Sequence, residues 1–284
     1  MSTEHRSPSP GTVTRLGAVR LAVRDIERSS GFYRRAIGLE PLPSDGPVVR
    51  LGAGGRAIVE LEATPDAQPA ARGASGLFHL AVLVPDRAAL AGAVRRVGEA
   101  GWGFTGASDH LVSEALYLND PEGNGIEIYR DRAREEWPVA DGVLQMDTLP
   151  LDIDAVMAEL PGGPGEPRVP ATTALGHVHL KVDSLDTARR FYVGVIGFEV
   201  MVETYPGALF VAAGGYHHHV GLNTWMSTRP AETGALGLRH IEIVVPDPAQ
   251  REAIATRAAA AGVAPDADGA LADPAGNRVV VTAG

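Results

Sequence analysis

The chain has 284 residues, of which 45% are hydrophobic and 21% are charged. That composition belongs to an ordinary globular protein with enough apolar residues for one large domain or two smaller ones. The formal net charge of −10 argues against nucleic acid as the main partner. The chain contains no cysteine, which excludes disulfides, thiolate metal sites and a cysteine nucleophile.

The polar residues 1–14 are predicted to form a disordered tail, because they lack the apolar core of a signal peptide. No apolar run in the sequence approaches the length that crosses a membrane. We therefore expect a cytoplasmic protein with no membrane partner, and a homodimer as the default oligomeric state.

Two similar phrases open the two halves of the chain. Residues 16–39 read LGAVRLAVRDIERSSGFYRRAIGL, and residues 175–198 read LGHVHLKVDSLDTARRFYVGVIGF. Each phrase combines an alternating strand, an aspartate placed as a helix N-cap (Asp25 and Asp183), and a short amphipathic helix. The Phe-Tyr pair of each helix is expected to pack on the sheet. The repetition predicts a tandem duplication.

A second unit follows each of these phrases. The strands GLFHLAVLVPD at 76–86 and GLRHIEIVVPD at 237–247 precede predicted helices near 87–100 and 250–262. The later phrases DPEGNGIEI and DPAGNRVVV complete the correspondence. The sequence therefore predicts an α+β protein built of four βαβββ units, at residues 15–65, 75–132, 174–226 and 236–284.

The four units divide the chain into an N-terminal half, 15–132, and a C-terminal half, 174–284. The stretch between them, 133–173, is rich in proline, glycine and acidic residues and is predicted to be a linker. It contains one predicted helix, Asp152 to Glu159.

The end of unit two, residues 109–132, carries an unusual set of polar residues. A turn at Asp120–Asn124 leads into the apolar strand around Glu127, which lies between two isoleucines. Side chains alternate along a strand, so Glu127 points to the face opposite its neighbours. A carboxylate at such a place is either solvent-facing or a metal ligand, and this stretch alone leaves both readings open.

Four units with these phrases resemble the vicinal oxygen chelate superfamily, which contains glyoxalases, bleomycin-resistance proteins and extradiol dioxygenases. The phrases that carry the resemblance are GLFHLAVLVP, DHLVSEALYLNDPEGNGIEIY, LGHVHLKV and GGYHHHVGLNTW. They look like those of the two-domain catechol 2,3-dioxygenase group of bacterial proteins. The resemblance implies that pairs of units form half-barrels around a divalent metal, with ligands from the first and last strands of the units.

Two pairings of the units distribute the metal ligands differently. If sequential units pair, each site lacks one ligand, because Ala18 and Val280 stand at ligand positions; Glu60 or Glu62 could then complete the first site. If unit two pairs with unit three, one site holds His79, Glu127 and His177, the two-histidine, one-carboxylate triad of non-heme Fe(II) oxygenases.

We predict the second pairing, which leaves His240 as a structural residue. Fe(II) is the expected metal, and Mn, Zn or Ni can take its place in such a site. Against this reading, His79 could be a packed core histidine, and the polar strand face of His177 and His179 could be solvated.

The resemblance also implies catalytic residues. A histidine of unit three acts as acid and base in these enzymes, and His218 in the run 217–219 matches it best. Tyr117 matches a tyrosine that hydrogen-bonds substrate oxygen, and His110 matches a second active-site histidine, with a spacing that departs by about two residues. Further substrate-binding residues are predicted to be His217, His219, His179, Asn223 and Trp225.

The function implied is extradiol cleavage of a catechol-type ring with Fe(II) and O₂, so the expected partners are a small aromatic diol and O₂. Two alternatives stay open. A glyoxalase-like isomerase or lyase would use Zn²⁺ or Ni²⁺ and more carboxylates. A small-molecule-binding protein of the bleomycin-resistance type would not need the three ligands to converge.

Overall fold

The computed structural model describes residues 13–44, 46–163 and 165–284, and it has the predicted βαβββ pattern in units one to three and a shorter βαββ pattern in unit four. Most of the predicted tail, residues 1–12, lies outside the described residues. Units one and two contain strands and helices at these bounds: β1 (Arg15–Val23), α1 (Ile26–Phe32), β2 (Glu40–Leu42), β3 (Val48–Ala53), β4 (Arg56–Ala63), β5 (Gly76–Leu83), α2 (Arg87–Glu99), β6 (Gly106–Asp109), β7 (Ser113–Asn119) and β8 (Gly125–Asp131).

The segment predicted as a linker contains short elements of its own: a 3₁₀ turn (Arg134–Glu136), β9 (Val139–Ala140), β10 (Val143–Leu144), β11 (Leu149–Pro150) and α3 (Ile153–Met157). The helix α3 is the one predicted here, and Asp152 caps it by accepting a hydrogen bond from the Ala155 amide.

Units three and four follow with β12 (Ala174–Lys181), α4 (Leu185–Arg189), β13 (Glu199–Val202), β14 (Ala208–Ala212), β15 (Val220–Asn223), β16 (Gly237–Val245), α5 (Pro248–Ala260), β17 (Leu271–Ala272) and β18 (Arg278–Ala283). Unit four has two described strands after its helix, one fewer than predicted. The segment 261–270, between α5 and β17, contains Pro265, Gly269 and two aspartates, residue types that disfavour strands.

The short helices of units one and three both continue into a π-helical turn, Tyr33–Ile37 and Arg190–Ile196. Asp25 caps α1 as predicted, by accepting a hydrogen bond from the Arg28 amide. The prediction of Asp183 as the N-cap of α4 is wrong, because Ser184 caps that helix. The two phrases match with Ser184 at the place of Asp25, and serine is an equally good N-cap.

The strands form two large sheets, and each sheet combines units from both halves of the chain. Units one and four form a seven-stranded sheet in the order β17-β18-β16-β1-β4-β3-β2. Units two and three, with β11, form a nine-stranded sheet in the order β11-β6-β7-β8-β5-β12-β15-β14-β13. The antiparallel pair β5–β12 joins units two and three, which is the pairing predicted from the ligand positions.

The helices cover the sheets, and the Phe-Tyr pairs lie in the core as predicted. Phe32, Tyr33, Phe191 and Tyr192 are all buried. Within the described part of the chain, no helix has the length and apolar character needed to cross a membrane.

Candidate active site

Three adjacent strands bring the predicted metal ligands together. His79 lies on β5, Glu127 on β8 and His177 on β12, and β5 stands between the other two strands. Ala81, two residues after His79, pairs with Glu127 on one side and His177 on the other. Because side chains alternate along a strand, this register turns the two imidazoles and the carboxylate to one face.

The ligand atoms of this triad are close enough to hold one ion. They all lie within 4.8 Å of one another, and the three residues are buried. Glu127 Oε2 is 3.0 Å from His79 Nε2 and 3.2 Å from His177 Nε2. The first contact lacks hydrogen-bond geometry, so His79 Nε2 is a buried nitrogen without a hydrogen-bond partner among the described residues. A divalent metal fits this arrangement of two nitrogens and one carboxylate oxygen.

The site also favours the protonation states that metal binding requires. Burial lowers the pKa of His177 to about 4. Burial alone would raise the pKa of Glu127, but the imidazoles of His177 and His79 hold that pKa well below its usual range. The site therefore presents an ionised carboxylate and a neutral His177, as metal ligands must be.

A cavity of about 280 Å³ opens next to the triad. Aromatic side chains form much of its wall, and within the described residues no lysine or arginine lines it. The predicted site residues that line it are His79, His110, Tyr117, Glu127, His177, His179, His218 and Trp225.

Tyr117 and His110 form a hydrogen-bonded pair at the cavity wall. Tyr117 stands opposite Glu127 in the β7–β8 register, and its hydroxyl is 2.6 Å from His110 Nε2. His110 Nδ1 is 2.8 Å from the backbone oxygen of Asp147, which can only accept. His110 Nδ1 therefore donates to that oxygen, and in the neutral ring Nε2 accepts a hydrogen bond from the Tyr117 hydroxyl. Burial, with the charge of Glu127, raises the pKa of Tyr117 well above its usual value, so this hydroxyl stays protonated.

The histidine run divides between the cavity and the protein interior. His218 lines the cavity, and its ring centre is 4.1 Å from that of His177. His217 is fully buried and does not line the cavity. His219 lies against the Phe198 ring, and its Nδ1 accepts a hydrogen bond from the Ala213 amide. The run 217–219 lies before β15 and outside the strands, and its three side chains face different surroundings.

The remaining predicted substrate-binding residues also separate. His179 packs between the rings of His79 and Trp225, and both His179 and Trp225 reach the cavity. Asn223 is buried outside it, with its Oδ1 accepting from the Trp225 amide. The structure gives no support for substrate contact by His217, His219 or Asn223, because each is buried away from the cavity wall.

Sequence reasoning missed part of the cavity wall. Met146, Asp147 and Thr148, from the segment predicted as a linker, line the cavity together with Phe78 and Tyr205. Phe78 could have been predicted, because it is an aromatic residue directly before His79 on β5. No local pattern marks the linker residues, because their position depends on where the chain crosses between units two and three.

The corresponding region of the other sheet is filled by ion pairs. Glu60 lies 2.7 Å from Arg20 and 3.1 Å from Arg50. His240 stands opposite Arg20 in the β1–β16 register, and Glu62 is 3.4 Å from Arg239. Among the residues that the structure describes, the triad of units two and three is the one group that meets the geometry of a metal site.

The sequence of this chain is similar to that of known proteins. A family model described as the Glyoxalase/Bleomycin resistance protein/Dioxygenase superfamily matches residues 15–128 and 174–281. A protein of Bacillus subtilis (strain 168) named catechol-2,3-dioxygenase is 41% identical over 256 residues, covering 88% of this chain and 89% of that protein.

Solved structures show the same fold at low sequence identity. Glyoxalase I from Zea mays has a TM-score of 0.59 and 16% identity, covering 94% of this chain and 92% of its own. The cppA protein from Streptococcus pneumoniae TIGR4 has a TM-score of 0.60 and 12% identity, covering 96% and 99% of the two chains. These two likenesses concern the fold alone.

Proposed function

This chain belongs to the glyoxalase/bleomycin resistance protein/dioxygenase superfamily, and on that premise we propose that it is an extradiol dioxygenase that cleaves catechol-type rings with O₂. The observation that carries the proposal is the convergence of His79, Glu127 and His177 beside an aromatic-lined cavity. The 41% identity to a catechol-2,3-dioxygenase over most of both chains supports the same reaction class.

The triad would hold a divalent metal, and Fe(II) is the proposed ion because two histidines and one carboxylate are its usual ligands in oxygenases. When bound, such an ion would supply adjacent open positions for the two oxygens of a diol and for O₂. Mn, Zn and Ni are proposed as ions that can replace it.

Three residues of the cavity are proposed to act on the substrate. His218 accepts a proton from a substrate hydroxyl, because burial lowers the pKa of this imidazole well below its ordinary value and leaves the ring neutral. Tyr117 hydrogen-bonds a substrate hydroxyl as an acceptor, because its own proton is donated to His110 Nε2. His110 orients Tyr117 through their 2.6 Å contact. His179 and Trp225, which also line the cavity, are proposed to contact the substrate ring.

The cavity lining favours a particular class of catechol. No cationic side chain among the described residues lines the cavity, while the Glu127 carboxylate and several aromatic rings do. A substrate carboxylate would enter without a partner, at the cost of burying an uncompensated charge. We therefore expect neutral catechols to be preferred over carboxylated ones such as 3,4-dihydroxybenzoate.

A matched pair of variants tests the reaction and the site together. His79 and His240 are the fourth residues of the equivalent strands β5 and β16, and only His79 belongs to the triad. Protein reconstituted with Fe(II) without air is mixed with catechol and O₂, and the yellow ring-cleavage product is followed with metal content. Wild type and His240→Ala are expected to form product, whereas His79→Ala should lose both product and bound metal.

Each other outcome has a defined meaning. Product from His79→Ala at the wild-type rate would remove His79 from the site. Metal bound at one per chain in wild type, with no product from catechol, would reject this activity toward simple catechols and favour a glyoxalase-like isomerase. A cytoplasmic location and a homodimer remain predictions.

A further inference from the structure

A chain of hydrogen bonds runs from His218 away from the cavity. His218 Nδ1 is 2.7 Å from His217 Nδ1, and His217 Nε2 is 2.8 Å from Asp131 Oδ1. His217 is fully buried, and neither it nor Asp131 lines the cavity. Asp131 ends β8, four residues after Glu127, so the strand that supplies the carboxylate of the triad also supplies the end of this chain.

The second oxygen of Asp131 is occupied as well. The Tyr216 hydroxyl donates to Asp131 Oδ2 at 2.9 Å, and the Tyr129 hydroxyl is 2.7 Å from that of Tyr216. Both carboxylate oxygens therefore have defined partners. An ionised carboxylate only accepts hydrogen bonds, so Asp131 must be the acceptor in its contact with His217.

The direction of each bond follows from that acceptor. His217 donates its Nε2 proton to Asp131, so a neutral His217 has a bare Nδ1. That nitrogen can only accept, so His218 donates from its own Nδ1. A neutral His218 then has an unprotonated Nε2, the ring nitrogen that no group among the described residues hydrogen-bonds.

We infer that Asp131 and His217 are positioning residues that hold His218 in the tautomer with a bare Nε2. This rests on the proposed function for the use of His218 as a base, but the tautomer itself does not depend on the substrate. When Nε2 takes the proton of a substrate hydroxyl, the Nδ1 proton stays bonded to His217. The ring then cannot rotate away, and the Asp131 carboxylate lies one imidazole behind the new charge.

The tautomer can be read directly by nitrogen NMR. Protein labelled with ¹⁵N-histidine is loaded with Zn²⁺, which is diamagnetic, and each ring nitrogen is classified as protonated or bare by its shift. For His218 we expect a protonated Nδ1 and a bare Nε2, and for His217 the reverse. Single-residue variants assign the signals.

Variants then test whether the hydrogen bonds through His217 and Asp131 set the tautomer of His218. His217→Phe keeps an aromatic ring but removes the acceptor, and Asp131→Leu removes the carboxylate; both are expected to turn the His218 signals into a mixture of tautomers. Tyr216→Phe removes the hydroxyl that contacts Asp131 Oδ2 and Tyr129, but it keeps the bond from His217 to Asp131 Oδ1 and should leave the wild-type pattern. Unchanged signals from the remaining histidines show that each variant is folded.

Two results would overturn the inference. One is a wild-type His218 protonated at Nε2, with His217 protonated at both nitrogens. The other is a wild-type pattern that survives in His217→Phe. Turnover gives a second readout: kcat should fall about 100-fold in Asp131→Leu, with KM within about twofold of wild type. A correct tautomer without catechol cleavage would reject the proposed function and keep the positioning role.

Discussion

At the scale of single residues, the position beside the ligand strands is occupied differently in the two sheets. Ala81 stands between Glu127 and His177 in the sheet of units two and three. Its counterpart in unit four is Glu242, whose Oε2 accepts a hydrogen bond from the Ala18 amide. A side chain on Gly17 would meet that carboxylate at 2.1 Å. In the seven-stranded sheet, Glu242 therefore occupies the place that the small Ala81 side chain leaves open beside the triad in the nine-stranded sheet.

The burial of His219 predicts a pH dependence of stability. Burial lowers the pKa of His219 to about 4, against an ordinary value of 6.5. The unfolded chain then binds a proton at pH values where the folded protein does not, so stability falls as the pH drops from 6.5 towards 4. The full effect is about 3 kcal/mol, because one pKa unit corresponds to about 1.4 kcal/mol.

His219→Gln removes the titrating group and gives the measurement its control. Urea unfolding of the metal-free wild type and of metal-free His219→Gln is measured at pH 7 and at pH 4.5. Wild type is expected to lose more stability on acidification than the variant, by most of this amount. Parallel losses in the two proteins would show that His219 does not contribute.

At the scale of elements, two equivalent hydrogen bonds join the two sheets. The Tyr33 hydroxyl, from the π-helical turn of unit one, donates to Asp120 Oδ2 at 3.1 Å. The Tyr192 hydroxyl, from unit three, donates to Asp273 Oδ2 at the same distance. Both aspartates begin the DP turns of the following units, where they also accept backbone amide protons. Each pair therefore connects a helix over one sheet to a turn of the other.

Removing either hydroxyl should destabilise the protein by similar amounts. We expect Tyr33→Phe and Tyr192→Phe each to lower the free energy of unfolding by about 1 to 3 kcal/mol, because a buried charged acceptor loses one donor. The losses should add in the double variant, since the pairs share no partner. Thermal and urea unfolding measure them. Unchanged stability in Tyr33→Phe would mean that the Asn124 side-chain amide alone satisfies Asp120 Oδ2.

The elements that follow from local pattern were predictable. The repeated phrases identify the units, and the ligand positions His79, Glu127 and His177 select the pairing of units two and three. What could not be predicted depends on contacts between distant segments. From the sequence, His217 was predicted to bind substrate beside its neighbour His218. In the structure it is buried and hydrogen-bonds Asp131, which lies 86 residues earlier in the sequence.

At the scale of the whole molecule, the segment between the halves completes the cavity. Its strand β11 pairs with β6, placing Leu149 opposite Asp109. The backbone oxygen of Asp147 meets His110, and the Thr148 hydroxyl is 3.1 Å from that of Tyr205 in unit three. The segment thus contacts both unit two and unit three, with Met146, Asp147 and Thr148 in the cavity wall.

Shortening Met146 should therefore change which catechols fit. In Met146→Ala the lost side-chain volume extends the cavity, so kcat/KM for 2,3-dihydroxybiphenyl relative to catechol should rise about tenfold or more. Met146→Leu conserves volume and should leave that ratio near wild type. Asp147→Ala keeps the backbone oxygen that meets His110, so it should also preserve the ratio. An unchanged ratio in Met146→Ala would mean that this wall does not limit substrate size. The segment would then serve only to connect the halves.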